Sequence, residues 1–321
     1  MQTLYIDRHD TELKIDRDRL LVKHELLKKP ISIGLGYLSS IVISARVQLT
    51  SQLLLACARK NVAVLMLDAR HPEHYSQYIP SQSGILQRKI KQFEIYQDPV
   101  RRLYYAKQCV SHQALHQLKL LHTWQRQQYL SIPQSDVLIS RLKRDASLIQ
   151  HSDSFDVLRG IEGALAKLVF QAMAAIAPTW CQFDGRNRRP PLDPINVLLS
   201  LSYTLLHAEC SKALHAHAFD SMLGFYHEPV HGRDSLACDL AECLRPKLQD
   251  WVMQLILKQQ LSADHFSHST QQPCLLTQQG RAIFYPLWQK QVKVWKKYLR
   301  LQVQYWIRLL ADCPSMENHN V

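Results

Sequence analysis

The chain has 321 residues, of which 46% are hydrophobic, 21% are charged and only 9 are glycine. That length and composition exclude a staple-dependent miniprotein and a low-complexity chain, and predict one large or two modest folded domains rich in helix. Thirty-nine Lys and Arg against 27 Asp and Glu give a net charge of +12, which favours an acidic partner such as nucleic acid or an anionic surface.

The first eighty residues carry short strand-type runs: TLYI from Thr3, ELKI from Glu12, RLLVKH from Arg19, SSIVISARVQL from Ser39 and VAVLMLD from Val62. Between the last two, TSQLLLACARKN has helical spacing, with Leu53, Leu54 and Cys57 on one side. From Ile85 the apolar period changes to about 3.6 residues, through Ile90, Phe93, Val100, Leu103, Tyr104, Leu115, Leu118 and Leu121, and predicts long amphipathic helices. The expected fold is therefore α+β. A small β-rich domain spans residues 1–82 and a larger all-α domain spans 83–321, with the boundary near Pro80 to Gly84. Ser131–Pro133 interrupts the helices, as do a loop from Asp184 to Pro194, where Pro190, Pro191 and Pro194 forbid helix, and a second loop from Gly224 to Asp234.

The eight cysteines form no Cys-x-x-Cys pair and read as reduced core residues. The amino terminus MQTLYIDRHD is charged where a signal peptide is apolar, and no apolar run reaches the roughly 18 residues of a membrane span. A soluble, cytoplasmic protein is expected.

Residues 151–244 carry 7 Lys and Arg against 11 Asp and Glu, an acidic stretch inside a basic protein. If the basic parts hold a polyanion, these acids would repel it unless they hold a cation, so this stretch is the place to seek a metal. A helix beginning near Leu158 places Ile161, Leu165, Leu168, Ala172 and Ile176 on one stripe with Glu162 at its margin, where it reads either as a helix-edge ion pair or as a ligand. Farther on, His227 precedes a loop, and Asp239 and Glu242 lie one turn apart on a helix opened by Ser235. With Leu240, Leu244, Leu248 and Trp251 facing the core, both acids are expected to point away from it, and Pro246 weakens the helix beside them by removing an amide. Carboxylates with one imidazole suit a hard divalent ion and tilt preference from Mg²⁺ toward Mn²⁺; structural ion pairs are the competing reading. His112 with His116, His265 with His268, and His207 with Cys210 lack second matched pairs and read as surface or core residues rather than zinc ligands. No Gly-x-Ser-x-Gly elbow and no Walker phosphate loop occurs.

In the last helix, Trp288, Val292, Trp295, Leu299 and Trp306 share one face, while Lys290, Lys293, Lys297 and Arg300 occupy the other. That face reads as a phosphate-binding surface, a solvated helix face or a contact for an anionic membrane. Arg186, Arg188 and Arg189 in the Pro-rich loop are further candidate phosphate contacts, as are Arg233 and Arg245 beside the acids.

Four blocks in this order, RGIEGALAKLVF from Arg159, DGRNRRPPLDPINVLLSLSYTLLH from Asp184, GFYHEPVHGRDSLACDLAECLRP from Gly224 and LSADHF from Leu261, resemble the CRISPR-associated protein one family. The β-rich start and helical remainder also look like that family's two domains. The resemblance implies a metal-dependent DNA endonuclease and integrase of CRISPR adaptation, which inserts new spacers when a spacer 3′-hydroxyl attacks a repeat phosphodiester. It implies Mg²⁺ or Mn²⁺ held by Glu162, His227 and Glu242 with Asp239 in support, a homodimer, DNA as substrate, and the small CRISPR-associated protein two as partner. Leu165, Ala166 and Lys167 stand where the family often has Ala-Ala-Arg, Tyr226 replaces a commonly aliphatic residue, and Gln113, His116 and Gln117 occupy its polar middle-helix positions. The rival readings are a general branched-DNA repair nuclease and a non-catalytic DNA-binding assembly subunit.

Overall fold

The computed structural model describes residues 2–68, 70–71, 74–78, 86–187, 190–267 and 273–312. The first part contains β1 (Gln2–Ile6), β2 (Thr11–Asp16), β3 (Arg19–Lys23), β4 (Ile31–Gly34), β5 (Leu38–Ile43), β6 (Val47–Leu49), α1 (Ser51–Arg59), β7 (Ala63–Leu67) and β8 (Tyr75–Tyr78). They form two four-stranded sheets, ordered β1-β5-β7-β8 and β4-β3-β2-β6. All six residues of the central strand β5 are buried. In β3, by contrast, Leu20 and Val22 are buried between more exposed neighbours, the alternation of a strand with one buried face. Leu13, Leu20, Leu35, Ile41, Leu53 and Val64 meet in one core.

The run SSIVISARVQL is not one strand but two. Ser44–Arg46 breaks it, and β5 and β6 join different sheets. Strands β4 and β8 have little signal in the sequence because ISIG and YSQY are short and carry no extended alternation; their extended form comes from pairing with β3 and β7.

The remainder is mostly helical: α2 (Leu86–Gln97), α3 (Pro99–Arg126), α4 (Ile132–Ser147), α5 (Phe155–Ile176), α6 (Pro194–Ala216), α7 (Ser235–Glu242), α8 (Arg245–Leu257) and α9 (Gln278–Asp312). Side-chain caps begin several of them: Asp98 accepts from the amides of Val100 and Arg101, Ser154 from Val157, and Asp193 from Asn196. The chain divides into two compact units, Met1–Ser83 with Phe284–Lys293, and Gly84–Ile283 with Val294–Val321. In the first unit, Tyr285 of α9 stacks on Tyr5 with ring centroids 4.6 Å apart, and Gln289 donates to the Thr3 carbonyl. The sequence boundary at Pro80 to Gly84 lies outside the described residues.

Helix α3 has the expected period, but its buried face is shifted from the expected one, with Leu121 common to both. Val100, Tyr104 and Leu115 are exposed, while Tyr105, Cys109, Gln113, Gln117, Leu120 and Trp124 are buried. The described cysteines are free thiols, six of them buried, and Cys313 lies outside the described residues. Among the described residues no helix is long and apolar enough to cross a membrane.

Candidate active site

Within the helical unit, α3, α5, α6, α7 and α8 and the loop after Ala216 enclose a cleft of about 560 Å³. Glu162 enters from α5, His227 from the loop, and Glu242 from the last turn of α7. The cleft is also lined by Gln113, Gln117, Tyr226 and Gln249, and by Arg159, Arg186, Arg233 and Arg245.

The acids of α7 do not point to solvent as their helical position led us to expect. Asp239 is 0% and Glu242 2% exposed. The face that carries the acids is covered as well, by Gln113 of α3 on Glu242 and by the amides of Phe225, Tyr226 and His227 on Asp239. The weakening expected at Pro246 is a full break: α7 ends at Glu242 and α8 starts at Arg245. Glu242 therefore stands at a helix end, where its carboxylate reaches the cleft.

Asp239 organises the loop that carries His227. Its Oδ2 accepts from the amides of Phe225 and Tyr226 at 2.7 and 2.9 Å. Its Oδ1 accepts from the His227 amide at 2.9 Å and lies 2.7 Å from the His227 Nδ1. This bond fixes the ring and leaves Nε2, 3.9 Å from Glu242 Oε1, on the cleft side. Burial works to lower the pKa of His227, but the bond and charge of Asp239, aided by Glu242, raise it overall. Two further side chains hold this loop. Gln92 donates to the carbonyls of Asp220 and Leu223, and Arg102 donates to the Phe225 carbonyl at 3.0 Å and pairs with Glu228 at 2.8 Å. Gly224 is needed at its start, since a Cβ there would meet the His227 carbonyl oxygen at 2.6 Å.

Glu242 is held from two sides. Arg245 Nη1 lies 2.8 Å from its Oε1, and Gln113 Nε2 donates to its Oε2 at 2.8 Å. The same Gln113 nitrogen lies 3.3 Å from Glu162 Oε1, so one amide bridges the two carboxylates. Burial pushes the pKa of Glu242 up, with the charges of Glu162 and Asp239 adding to it and Arg245 and His227 opposing.

The structure thus brings Glu162, His227, Glu242, Arg186, Arg233 and Arg245 to one cleft, with Asp239 directly beneath His227. Arg186 is engaged with α6, donating to Asn196 Oδ1 at 2.7 Å and Ser200 Oγ at 3.0 Å. Lys290, Lys293 and Lys297 do not line the cleft; they are exposed on α9, and Trp288, Val292, Trp295, Leu299 and Trp306 of the same helix are buried. Arg188, Arg189 and His268 lie outside the described residues. His112, His116 and His207 are hydrogen-bonded to Gln302 and to the carbonyls of Cys243 and Asp234. Residue patterning gave no weight to Arg102, Arg159 or Gln249. Gln113 and Gln117, noted only by resemblance, had a signal available: two glutamines inside an otherwise apolar helix face.

Among the described residues no three His, Cys, Asp or Glu side chains are drawn together closely enough to hold a metal as they stand. The donors nevertheless fit a hard divalent ion: two carboxylates and an imidazole Nε2, with Nδ1 held by a carboxylate, share one cleft. The carbonyl oxygens of Gln117 and Gln249 are buried there with no hydrogen-bond partner among the described residues, acceptors that suit the waters of a hydrated cation. Between Glu162 and Glu242 lies the Gln113 amide nitrogen, within reach of both.

The model of the family described as CRISPR associated protein Cas1 matches residues 4–290. The chain belongs to the Cas1 family. A CRISPR-associated endonuclease Cas1 of Thermodesulfovibrio yellowstonii is 31% identical over 317 residues, covering 97% of this chain and 98% of that protein. Among solved structures, a casposase bound to integration product is similar with a TM-score of 0.85 at 22% identity, over 99% of this chain and 93% of that one. The Cas1-containing chain of a Cas6-RT-Cas1 and Cas2 complex gives a TM-score of 0.79 at 21% identity, over 97% of this chain and 35% of that one.

Proposed function

We propose that this Cas1 family member is an integrase of CRISPR adaptation, a DNA endonuclease and transesterase that joins a spacer 3′-hydroxyl to a phosphodiester of the repeat. The observation that carries the reading is the convergence of Glu162, His227 and Glu242 on one cleft that Arg159, Arg186, Arg233 and Arg245 also line. Carboxylates alone would repel DNA, whereas carboxylates holding Mg²⁺ or Mn²⁺ beside guanidinium groups form a phosphate site. Glu162, His227 and Glu242 would hold the ion, which supplies Lewis-acid stabilisation of the charge that develops on the scissile phosphate.

The protein's own groups divide the remaining work. Asp239 keeps the His227 Nδ1 engaged so that Nε2 is presented to the cleft. Arg245 offsets the charge of Glu242 in its buried place, and Arg159 offers a half-exposed cation to a strand. In the reaction one phosphodiester forms as another breaks: the attacking hydroxyl loses its proton and the departing 3′-oxygen gains one, so no nucleotide cofactor is required. Water in place of the hydroxyl gives DNA cleavage. A homodimer, DNA and the small protein Cas2 are the partners proposed, with residues 1–82 serving dimerisation and partner contacts and the helical part serving catalysis and DNA binding.

The test is strand transfer of a labelled spacer into a repeat, with Mg²⁺ or Mn²⁺ and with chelator, for wild type and Glu162→Gln. Loss of transfer in chelator and in the variant supports the reading. Transfer that survives both sinks it, and metal-dependent cutting of branched DNA without integration points to a repair nuclease.

A further inference from the structure

Gln113 is 3% exposed, and its amide nitrogen sits between the Glu162 and Glu242 carboxylates, 3.3 and 2.8 Å from their oxygens. An amide NH₂ has two donors and no free lone pair, and an ionised carboxylate only accepts. The nitrogen therefore occupies the place between two negative groups where a cation would sit, and its partial positive charge offsets their repulsion. A divalent ion between the same carboxylates reverses the preference: it repels the NH₂ and attracts the amide oxygen. The terminal amide torsion has a broad, roughly two-fold profile, so exchanging the two ends of the group needs no change of backbone.

We propose that Gln113 is a member of the cation site with two settings: nitrogen inward, tying Glu162 to Glu242 when the ion is absent, and oxygen inward, toward the ion or its water, when it is bound. This rests on the metal reading given above and names a further residue for it. The position on α3 matters. Gln113 and Gln117 follow one another by a turn on a buried face, and Gln117 also brings a carbonyl oxygen to the cleft, so one helix supplies neutral oxygens opposite the charged ligands of α5 and α7. A residue there that only filled space would leave the half-buried Glu162 and the buried Glu242 facing each other with no donor between them.

The experiment measures Mn²⁺ binding to the full chain by calorimetry, together with melting temperatures with and without Mn²⁺. Gln113→Met keeps the shape and removes both amide ends; Gln113→Glu keeps an oxygen and removes the nitrogen. The expected result is a 10- to 100-fold weaker Mn²⁺ affinity for Gln113→Met, the range for loss of a group supporting a ligand. Gln113→Glu binds Mn²⁺ at least as tightly as wild type but melts lower without it, giving the larger Mn²⁺-induced rise in melting temperature. Gln113→Asn, whose amide is drawn back by one methylene, weakens binding too and serves if Gln113→Met does not fold. Wild-type Mn²⁺ affinity in folded Gln113→Met, with binding lost in Glu162→Gln, overturns this proposal and leaves the metal reading standing. Tighter binding in Gln113→Met also overturns it, because the amide is then only a competitor of the ion. No saturable Mn²⁺ binding in wild type overturns the metal reading and this proposal together.

Discussion

Asp239 grips His227 at two points, accepting its backbone amide at 2.9 Å and meeting its ring Nδ1 at 2.7 Å with the same carboxylate oxygen. The other oxygen takes the amides of Phe225 and Tyr226. One fully buried side chain thereby sets both the path of the loop and the orientation of the ring. It acts on the cleft through His227.

Asp239→Asn turns one acceptor oxygen into an NH₂ that faces N–H donors. We expect a loss of about 1.5–3 kcal/mol in denaturant unfolding, the range for hydrogen bonds to a charged group. Strand transfer should fall about 10- to 100-fold and recover in part with excess Mn²⁺. Glu242→Gln should abolish transfer with no such recovery. Rescue of Glu242→Gln alone would make Asp239 the ligand instead.

The three proposed ligands should also separate by stability. Glu162 is half-buried, so Glu162→Gln should remove activity while shifting unfolding free energy by no more than about 0.5 kcal/mol. Glu242 is buried against Arg245, and Glu242→Gln leaves that guanidinium without its carboxylate. The expected cost is about 2 kcal/mol, below the about 3–5 kcal/mol of a fully buried broken pair because Arg245 keeps contact with solvent. Parallel denaturant curves measure both; equal losses would contradict the burial difference.

The pH dependence has a definite sign. His227 has its pKa raised above the ordinary 6.5, so the fold holds its proton more tightly than the unfolded chain does. That stabilisation is present in full below about 6.5 and is lost as pH rises through the raised folded value. The melting temperature of metal-free protein should therefore fall across this window, and His227→Gln should flatten the fall. Stabilisation by added Mn²⁺ should grow over the same window, because a ligating imidazole must be neutral. Identical pH profiles for wild type and His227→Gln would contradict this.

DNA affinity should weaken steeply with salt, each neutralised phosphate on duplex DNA adding about 0.9 to the slope of log K against log salt. Lys290, Lys293 and Lys297 are exposed on α9. Replacing all three with Gln should flatten the slope by up to about 2.7. An unchanged slope in a fluorescence titration would mean that this face meets only solvent.

Much of this was legible in the chain because it depends on local rules. Period-2 runs before residue 80 and a period of about 3.6 after it separate the β-rich and helical parts. Pro246 marks a weak point between two helical stretches, which the structure shows as a break. The ordered blocks carrying Glu162, His227, Asp239 and Glu242 pointed to the family on their own.

Tertiary structure alone decided which side of a helix is inside. The period of α3 fits more than one face, and the face chosen buries Gln113 and Gln117 while leaving Val100, Tyr104 and Leu115 exposed. The acids of α7 looked solvent-facing because a single apolar stripe implies one covered side, yet α3 and the loop carrying His227 cover the other as well. Polar residues are buried there because partners more than a hundred positions away satisfy them, as Gln113 does for Glu242. The same reason placed Phe284–Lys293 with the β-rich unit. Contacts between distant segments are set by packing as a whole, and periodicity within a segment does not encode them.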